Sequence, residues 1–374
     1  MVEFIFFGLT LLGVAIFHRQ TLKVSLVGLA SILIYKLIFD VHFSFLAHLA
    51  HEWNILLNLF GLLLGFAILA RHFEQSHVPD KIPDYLPAGW LGAYSLLACI
   101  FILAIFLDNI AAAIIGGTIA FVVFKTKVHL GYLAAIVAAS NAGGSGSVIG
   151  DTTTTMMWIS GVPALNVLSA YIGAVTSFLF FAPIAAYQQN KLQPIQKTDQ
   201  ANIVVDKGRI LIVGLILVLT IVTNILADFP ALGVWLAILI GATFRKTDWH
   251  ELKVALPGSI FLLALVMSAS LMPVGLPSPS WQSTLGLGFV SAVFDNIPLT
   301  KLALQQGGYD WGFLAYAVGF GGSITWFGSS AGVALSNQFP ETKSVVNWVK
   351  NGWHVAVAYL IGFGVMLLIH GWQP

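Results

Sequence analysis

The chain has 374 residues, of which 58% are hydrophobic and only 9% charged, against about 25% charged in ordinary soluble domains. With 17 Lys and Arg against 16 Asp and Glu, it has too little charge to clothe a soluble globule. Its net charge of +1 makes no field that would recruit nucleic acid. The composition is that of a polytopic membrane protein. The single cysteine, Cys99, excludes an intrachain disulfide and any multi-cysteine metal site; in its apolar run it reads as a packing residue.

A membrane helix needs about 20 apolar residues. The predicted apolar segments are 2–17, 22–39, 54–70, 89–124, 129–161, 164–187, 209–226, 231–244, 254–273, 281–306, 311–336 and 353–370. The first has Glu3 where a signal peptide wants positive charge and no small-x-small cleavage site, so it is expected to be a retained helix. Segment 89–124 would be about 54 Å long as one helix, which exceeds the bilayer. It is expected to turn at Asp108-Asn109, either as two crossings or as a re-entrant hairpin. Segment 129–161 is interrupted by SNAGGSGSVIGDTTTT, whose Gly143, Gly144, Gly146 and Gly150 argue against a continuous helix. Broken backbone at membrane depth is tolerated only where it is buried or lines a cavity.

The polar stretch 188–209 reads as a cytoplasmic linker between an N-terminal half, 1–187, and a C-terminal half, 210–374. The halves repeat. FLDNI at 106–110 is echoed by FDNIP at 294–298, and GGS-xxxx-GDT at 143–152 by GGS-xxxx-GSS at 321–330. Interrupted segments at matching places in two halves are the sequence pointer to a secondary transporter's binding site. With 89–124 and 281–306 as hairpins and the N-terminus outside, all Lys and Arg except Lys36 and Lys301 fall on the cytoplasmic side, a positive-inside bias. The arms of 281–306 are too short to cross twice, and symmetry extends the hairpin to the first half. The expected architecture is an all-α membrane protein of two inverted repeats. Each has about five transmembrane helices, a re-entrant hairpin and an unwound helix, with both termini outside.

Among the acidic residues, Asp108, Asp151 and Asp295 are expected inside the bilayer and the others at segment ends or in loops. A carboxylate there costs at least about 2.5 kcal/mol, so its default reading is functional. Asn109 and Asn296 follow two of them and could ligate a hard cation, cap a helix, or both. Gly143, Gly144 and Gly150, matched by Gly321 and Gly322, are expected to break helices so that freed carbonyls face a cation. Ser145, Ser147, Thr152 and Thr153 add hydroxyl oxygens. In the second half, Ser329 and Ser330 replace Asp151 and Thr152, which keeps hydroxyls and drops a charge. A phosphate cradle is disfavoured by the adjacent carboxylate and the lack of a nearby Lys or Arg. His42, His48, His51 and Glu52 form a polar cluster, read mainly as interfacial; His48 and His51 could share a metal. Lys301 could snorkel or pair with a carboxylate.

FLDNIAAAI, AASNAGGSGSVIGDTTTTMMWISG, SAVFDNIPLT and GFGGSITWFGSSAGVA resemble the NhaD-type sodium/proton antiporters of the ion transporter superfamily. That superfamily also holds arsenite permeases and citrate and dicarboxylate transporters. The resemblance covers about residues 89–336. It implies hairpin tips at Asp108-Asn109 and Asp295-Asn296, and an unwound helix contributing Asn141, Asp151, Thr152 and Thr153. It also implies a homodimer in the cell inner membrane with elevator-like alternating access. The family's common Pro is Val148 here. Carboxylate symporters resemble one another in neutral hairpin tips, whereas both tips here carry Asp. Two unit charges about 5 Å apart repel by about 3 kcal/mol at an effective dielectric near 20, which penalises an anion and favours a cation. The expected function is therefore exchange of sodium or lithium for protons. Sodium is expected at Asp108, Asp151 and Asp295, with no cofactor and no partner beyond the bilayer and a second copy. The alternatives are a small-anion carrier or an arsenite exporter. An intramembrane hydrolase using Asp108 and Asp151 is disfavoured, because nothing in the repeat needs one.

Overall fold

A computed structural model describes residues 2–17, 20–196, 203–273 and 275–374. Arg19 and Lys197, which entered the charge-sidedness argument, lie outside these residues, as does part of the 188–209 stretch. Among the described residues the regular structure is helical throughout.

The N-terminal series is α1 (Val2–Ile16), α2 (Thr21–Phe39), α3 (Phe45–Glu74), α4 (Val78–Tyr85), α5 (Trp90–Leu103), α6 (Asn109–Val123), α7 (Leu130–Gly144), α8 (Thr152–Ile159), α9 (Ala164–Leu168) and α10 (Ala170–Leu192). The C-terminal series is α11 (Lys207–Ala227), α12 (Pro230–Phe244), α13 (His250–Ser270), α14 (Trp281–Ser291), α15 (Asn296–Gln306), α16 (Trp311–Gly321), α17 (Ser330–Gln338), α18 (Val345–Asn351) and α19 (Trp353–Ile369).

Among the described residues, five helices are long and apolar enough to cross a membrane: α2, α3, α9 with α10, α11 and α13. The pair α18 and α19, bent by 62°, passes the same length and apolarity test only when its two helices are taken together. The other apolar helices, including α5, α6, α7, α12 and α16, are shorter. An α-helix of 15 residues spans about 22 Å, short of the hydrocarbon thickness of about 30 Å. These helices fit a polytopic membrane protein.

The two predicted turns and the two predicted breaks are present as chain features. Segment 89–124 is a helix–turn–helix pair, with α5 ending at Leu103 and α6 starting after Asp108; 281–306 is the same, α14 and α15 meeting at Asp295. Asp108 (φ −52°, ψ 140°) and Asp295 (φ −53°, ψ 139°) have the same N-cap backbone conformation. The glycine-rich stretch parts α7 from α8, and a 3₁₀ turn at Gly322–Ile324 followed by a further turn and bends parts α16 from α17. Asp151 and Ser329 again share one conformation (φ −143° and −141°) and begin α8 and α17 as side-chain caps.

Glycine allows the close approaches. A Cβ on Gly143 would strike the carbonyl oxygen of Phe101 in α5, and one on Gly321 that of Gly288 in α14. Each helix before a break therefore lies directly on the first arm of its own helical pair. Packing also runs between the series: α6 against α17, α15 against α8, α3 against α12 and α13, α2 against α13, and α10 against α19.

Two predicted boundaries shift. Helix α3 is 30 residues long and begins at its Ser44 cap, so the polar stretch His48 to Glu52 belongs to a helix predicted to start at 54. The 188–209 stretch begins inside α10: Gln189 is buried and ties the loop before α7, accepting from the His129 N–H (2.6 Å) and donating to the Lys127 carbonyl (3.0 Å). Helices α4 and α18 had no counterpart among the predicted segments.

Candidate functional site

A cavity of about 580 Å³ runs between α3, α13, α6 and α17. Asp108 and Asp295, one from each series, both line it, with Ser330. Along α3 its lining runs from Leu63 to Glu74, about 16 Å at 1.5 Å per residue. Among the described residues its charged lining is Arg71 against Glu74, Asp108, Glu251 and Asp295. Arg71 is already engaged, at 3.1 Å from both Glu74 and Asp248 and 3.5 Å from Glu251. Asp248 lies just before α13, and the hydrogen bond from Arg71 holds its carboxyl below the ordinary carboxylate range. The cavity is thus an acidic channel whose one base is tied at the mouth.

Behind Asp108 sits a buried amide–carboxylate network. Asn109 Nδ2 donates to Asn141 Oδ1 (3.0 Å) and to Asp151 Oδ1 (3.2 Å). Asn141 Nδ2 donates across to the second series, to Ser323 Oγ (2.9 Å) and Ser329 Oγ (3.0 Å). Asp151, 1% exposed, also accepts from Thr153 through the backbone N–H (3.3 Å) and the hydroxyl (2.8 Å). Thr152 is buried beside it. In the second series, Asp295 accepts from the Ile297 N–H (3.0 Å) and from Ser330 Oγ (3.1 Å). Asp108, at the start of α6, lines the cavity. Asn296 is buried at the start of α15.

The structure therefore brings Asp108, Asn109, Asn141, Asp151, Thr153, Asp295, Ser329 and Ser330 into one region reached from both series. Gly143 and Gly144 end α7, Gly150 lies in the break, and Gly321 and Gly322 stand at the matching junction. Two carbonyls of the first break are already satisfied: Thr154 Oγ1 donates to Ser147 O (2.5 Å) and Thr155 Oγ1 to Val148 O (2.8 Å). Ser147 Oγ turns to the Ile105 carbonyl (2.5 Å) and Ser145 Oγ to Ala142 O (2.8 Å). Among the described residues, the oxygen-bearing side chains that line the cavity are the carboxylates and the hydroxyls of Thr21, Ser259 and Ser330. Among the described residues, no three His, Cys, Asp or Glu side chains gather closely enough to hold a metal ion together. The three aspartates do not form a single ligand shell here, and neither do the histidines.

A buried carboxylate escaped the sequence reading. Glu52, expected in an interfacial cluster, is buried on α3 and pairs at 2.7 Å with Lys301 of α15, itself buried. This also decides what Lys301 does. The sequence showed only an acid in a polar cluster with three histidines and a base within an apolar stretch. His48 Nε2 meets Ser270 Oγ of α13 at 2.9 Å. Cys99 lies on α5, half-buried.

The described residues thus form a helical membrane chain with two broken helices and two helix–turn–helix tips facing one acidic cavity. No family model matches the chain. It is 26% identical over 329 residues to sodium/proton antiporter 1 of Arabidopsis thaliana, covering 75% of this chain and 56% of that protein. It is 27% identical over 298 residues to the Na(+)/H(+) antiporter NhaD of Alkalimonas amylolytica, covering 63% and 59%, and 26% identical over 376 residues to NhaD of Vibrio parahaemolyticus, covering 82% and 89%. The chain thus spans little more than half the length of the first two. The similarity reaches beyond the motif region, and the resemblance to NhaD-type antiporters is borne out.

Proposed function

We propose that the chain exchanges sodium or lithium for protons by alternating access, with cation and proton competing for Asp108, Asp151 and Asp295. The observation that carries this reading is the acidic cavity, in which Asp108 and Asp295 from the two series face one space whose base is neutralised at the mouth. A cation gains from that field and an anion is repelled. Each ion is held by one or two carboxylates together with amide and hydroxyl oxygens of Asn109, Asn141, Thr152, Thr153, Asn296, Ser329 and Ser330, not by all three carboxylates at once.

The halves 1–187 and 210–374 act as inverted repeats, with α5–α6 and α14–α15 as re-entrant hairpins. Support comes from the matched caps at Asp108 and Asp295, the matched breaks, and the exchange of partners in which α6 packs on α17 and α15 on α8. Both termini lie outside the cell inner membrane in this reading, the linker is cytoplasmic, and the protein works as a homodimer.

A site loaded with either a cation or a proton, but not both, couples the two flows. Lowering pH protonates the carboxylates and removes sodium's ligand, so apparent sodium affinity rises with pH and levels off once they are ionised. The test is purified protein in liposomes with a preset pH gradient and a pH-sensitive dye. Sodium or lithium should collapse the gradient with no anion required. An unmoved gradient across pH 6 to 9, with citrate or arsenite transported instead, would replace this reading by the anion carrier.

A further inference from the structure

The cavity opens toward Arg71, Glu74 and Glu251, and its lining on α3 stops at Leu63. The opposite side of the aspartates is closed in two layers. The first is an apolar plug in which Leu59 of α3, Met156 of α8, Leu262 and Val266 of α13 and Ile297 of α15 pack together, all buried. The second is the Glu52–Lys301 ion pair. Glu52 lies 11 positions before Leu63 on α3, about 16 Å further from the mouth, and Lys301 lies about 9 Å along α15 from the Asp295 tip. Gln305 of α15 adds a bond to the Ser270 carbonyl (2.9 Å), where His48 also docks. Helix α15 carries a site aspartate at one end and, by this pair, is fastened to α3 further along.

We propose that the Glu52–Lys301 pair is the gate that shuts the aspartate site from the Ser44 side of the membrane, and that it parts when the site turns to that side. This rests on the alternating-access reading. A buried pair is a suitable latch. Its charges attract strongly while apolar packing excludes water, and both regain solvation once the plug opens. The pair biases the protein toward the mouth-open arrangement seen here, and its loss shifts the population the other way.

The test reads accessibility. Val266→Cys, placed in the plug in a Cys99→Ser background, is exposed to a membrane-impermeant thiol reagent applied to each face of the vesicle separately. In the parent, labelling from the Ser44 face is slow. The variant that decides is E52Q/K301Q, which leaves no unpaired buried charge and so removes the cause of misfolding that single variants carry. A latch predicts labelling from the Ser44 face faster by at least about tenfold, as the open state becomes more populated. A merely structural pair predicts labelling as slow as in the parent, and that result, in protein that elutes as one monodisperse peak, overturns the gate. Labelling does not depend on which ion is carried. A pH gradient indifferent to sodium would sink the antiport reading while leaving this result standing.

Discussion

The two breaks share a backbone and differ in chemistry. Gly143, Gly144 and Gly150 correspond to Gly321, Gly322 and Gly328, and Gly144 faces the Gly150 carbonyl as Gly322 faces that of Gly328, while Gly146 is matched by Ile324. Yet the first break ends in Asp151 and the second in Ser329. Where α7 has Asn141, α16 has Gly319, and Asp151 occupies the room this leaves: a Cβ on Gly319 would lie 3.1 Å from Asp151 Oδ2. Asn141 in turn reaches across to Ser323 and Ser329. Of the two breaks, one is thus charged and one neutral, and the charge sits against Gly319 beside the neutral one. Two carboxylates at the two breaks would face each other in a buried space, a repulsion of several kcal/mol at the dielectric of a protein interior. One is tolerable and, in the proposed exchange, would be the proton site.

The largest effect should come from erasing that difference at its charged end. Asp151→Asn keeps the shape and removes the charge to which Asn109 and Thr153 donate. Hydrogen bonds to a charged group are worth about 1.5 to 3 kcal/mol each, so apparent sodium affinity should fall by about tenfold to a hundredfold, with the protein still folded. Ser329→Ala removes one hydroxyl and should cost several times less. Equal losses in the two variants, measured in the dye assay, would show that the charge at the first break has no special role.

Shared backbone is tested next. Ala at Gly143 or at Gly321 must push a Cβ into a carbonyl of the neighbouring arm, Phe101 or Gly288. Overpacking of this kind costs about 1 to 3 kcal/mol, and the two variants should lower Tm alike. A drop in only one would break the correspondence of the halves. Leu at Gly144 or Gly322 should reduce transport more than expression, because the side chain enters the break itself.

Smaller again is Gly319→Ala. At 3.1 Å the new methyl asks Asp151 to give by a few tenths of an ångström. Stability should be nearly unchanged, while sodium affinity falls by a factor of about three to ten, since a shift under 1.4 kcal/mol is less than tenfold. Unaltered affinity would mean that Asp151 does not need the space that Gly319 leaves.

The sequence made the breaks and turns legible because their causes are local. Glycine runs and an Asp in an apolar segment cannot propagate a membrane helix unnoticed. Recurrence of both motifs in the same order located Asp108, Asp151 and Asp295 together. What stayed hidden depends on partners far along the chain. Glu52 and Lys301 are 249 positions apart, and each alone reads as interfacial or snorkelling. The role of Gly319 appears only when Asp151 is seen to fill the space beside it. Helix α3 was underestimated because His48, His51 and Glu52 lower its local hydropathy, although the first two face partners or the surface and the third is paired. The satisfaction of the Ser147 and Val148 carbonyls by Thr154 and Thr155 follows from a seven-residue reach across the break, which composition does not reveal.

The smallest effect should arise where the periphery is touched and the breaks are not. Asp206 opens α11 by accepting from the Gly208 N–H (2.9 Å) and the Arg209 N–H (3.3 Å), and Arg245 beyond α12 reaches it at 3.1 Å. The Arg245 hydrogen bonds hold this carboxyl below the ordinary range. A carboxyl depressed by folding contributes stability above its unfolded pKa of about 3.9, and that contribution fades as pH falls through the lower folded value. Asp206→Asn should therefore lower Tm slightly at pH 7, and the difference from the parent should shrink below about pH 4. Sodium affinity should not move, because nothing in this cluster lines the cavity. A Tm gap that widens toward acid would reverse the assigned sign. A change in sodium affinity would show that the α11–α12 fastening is coupled to the breaks and that the contrast between the breaks is not set locally.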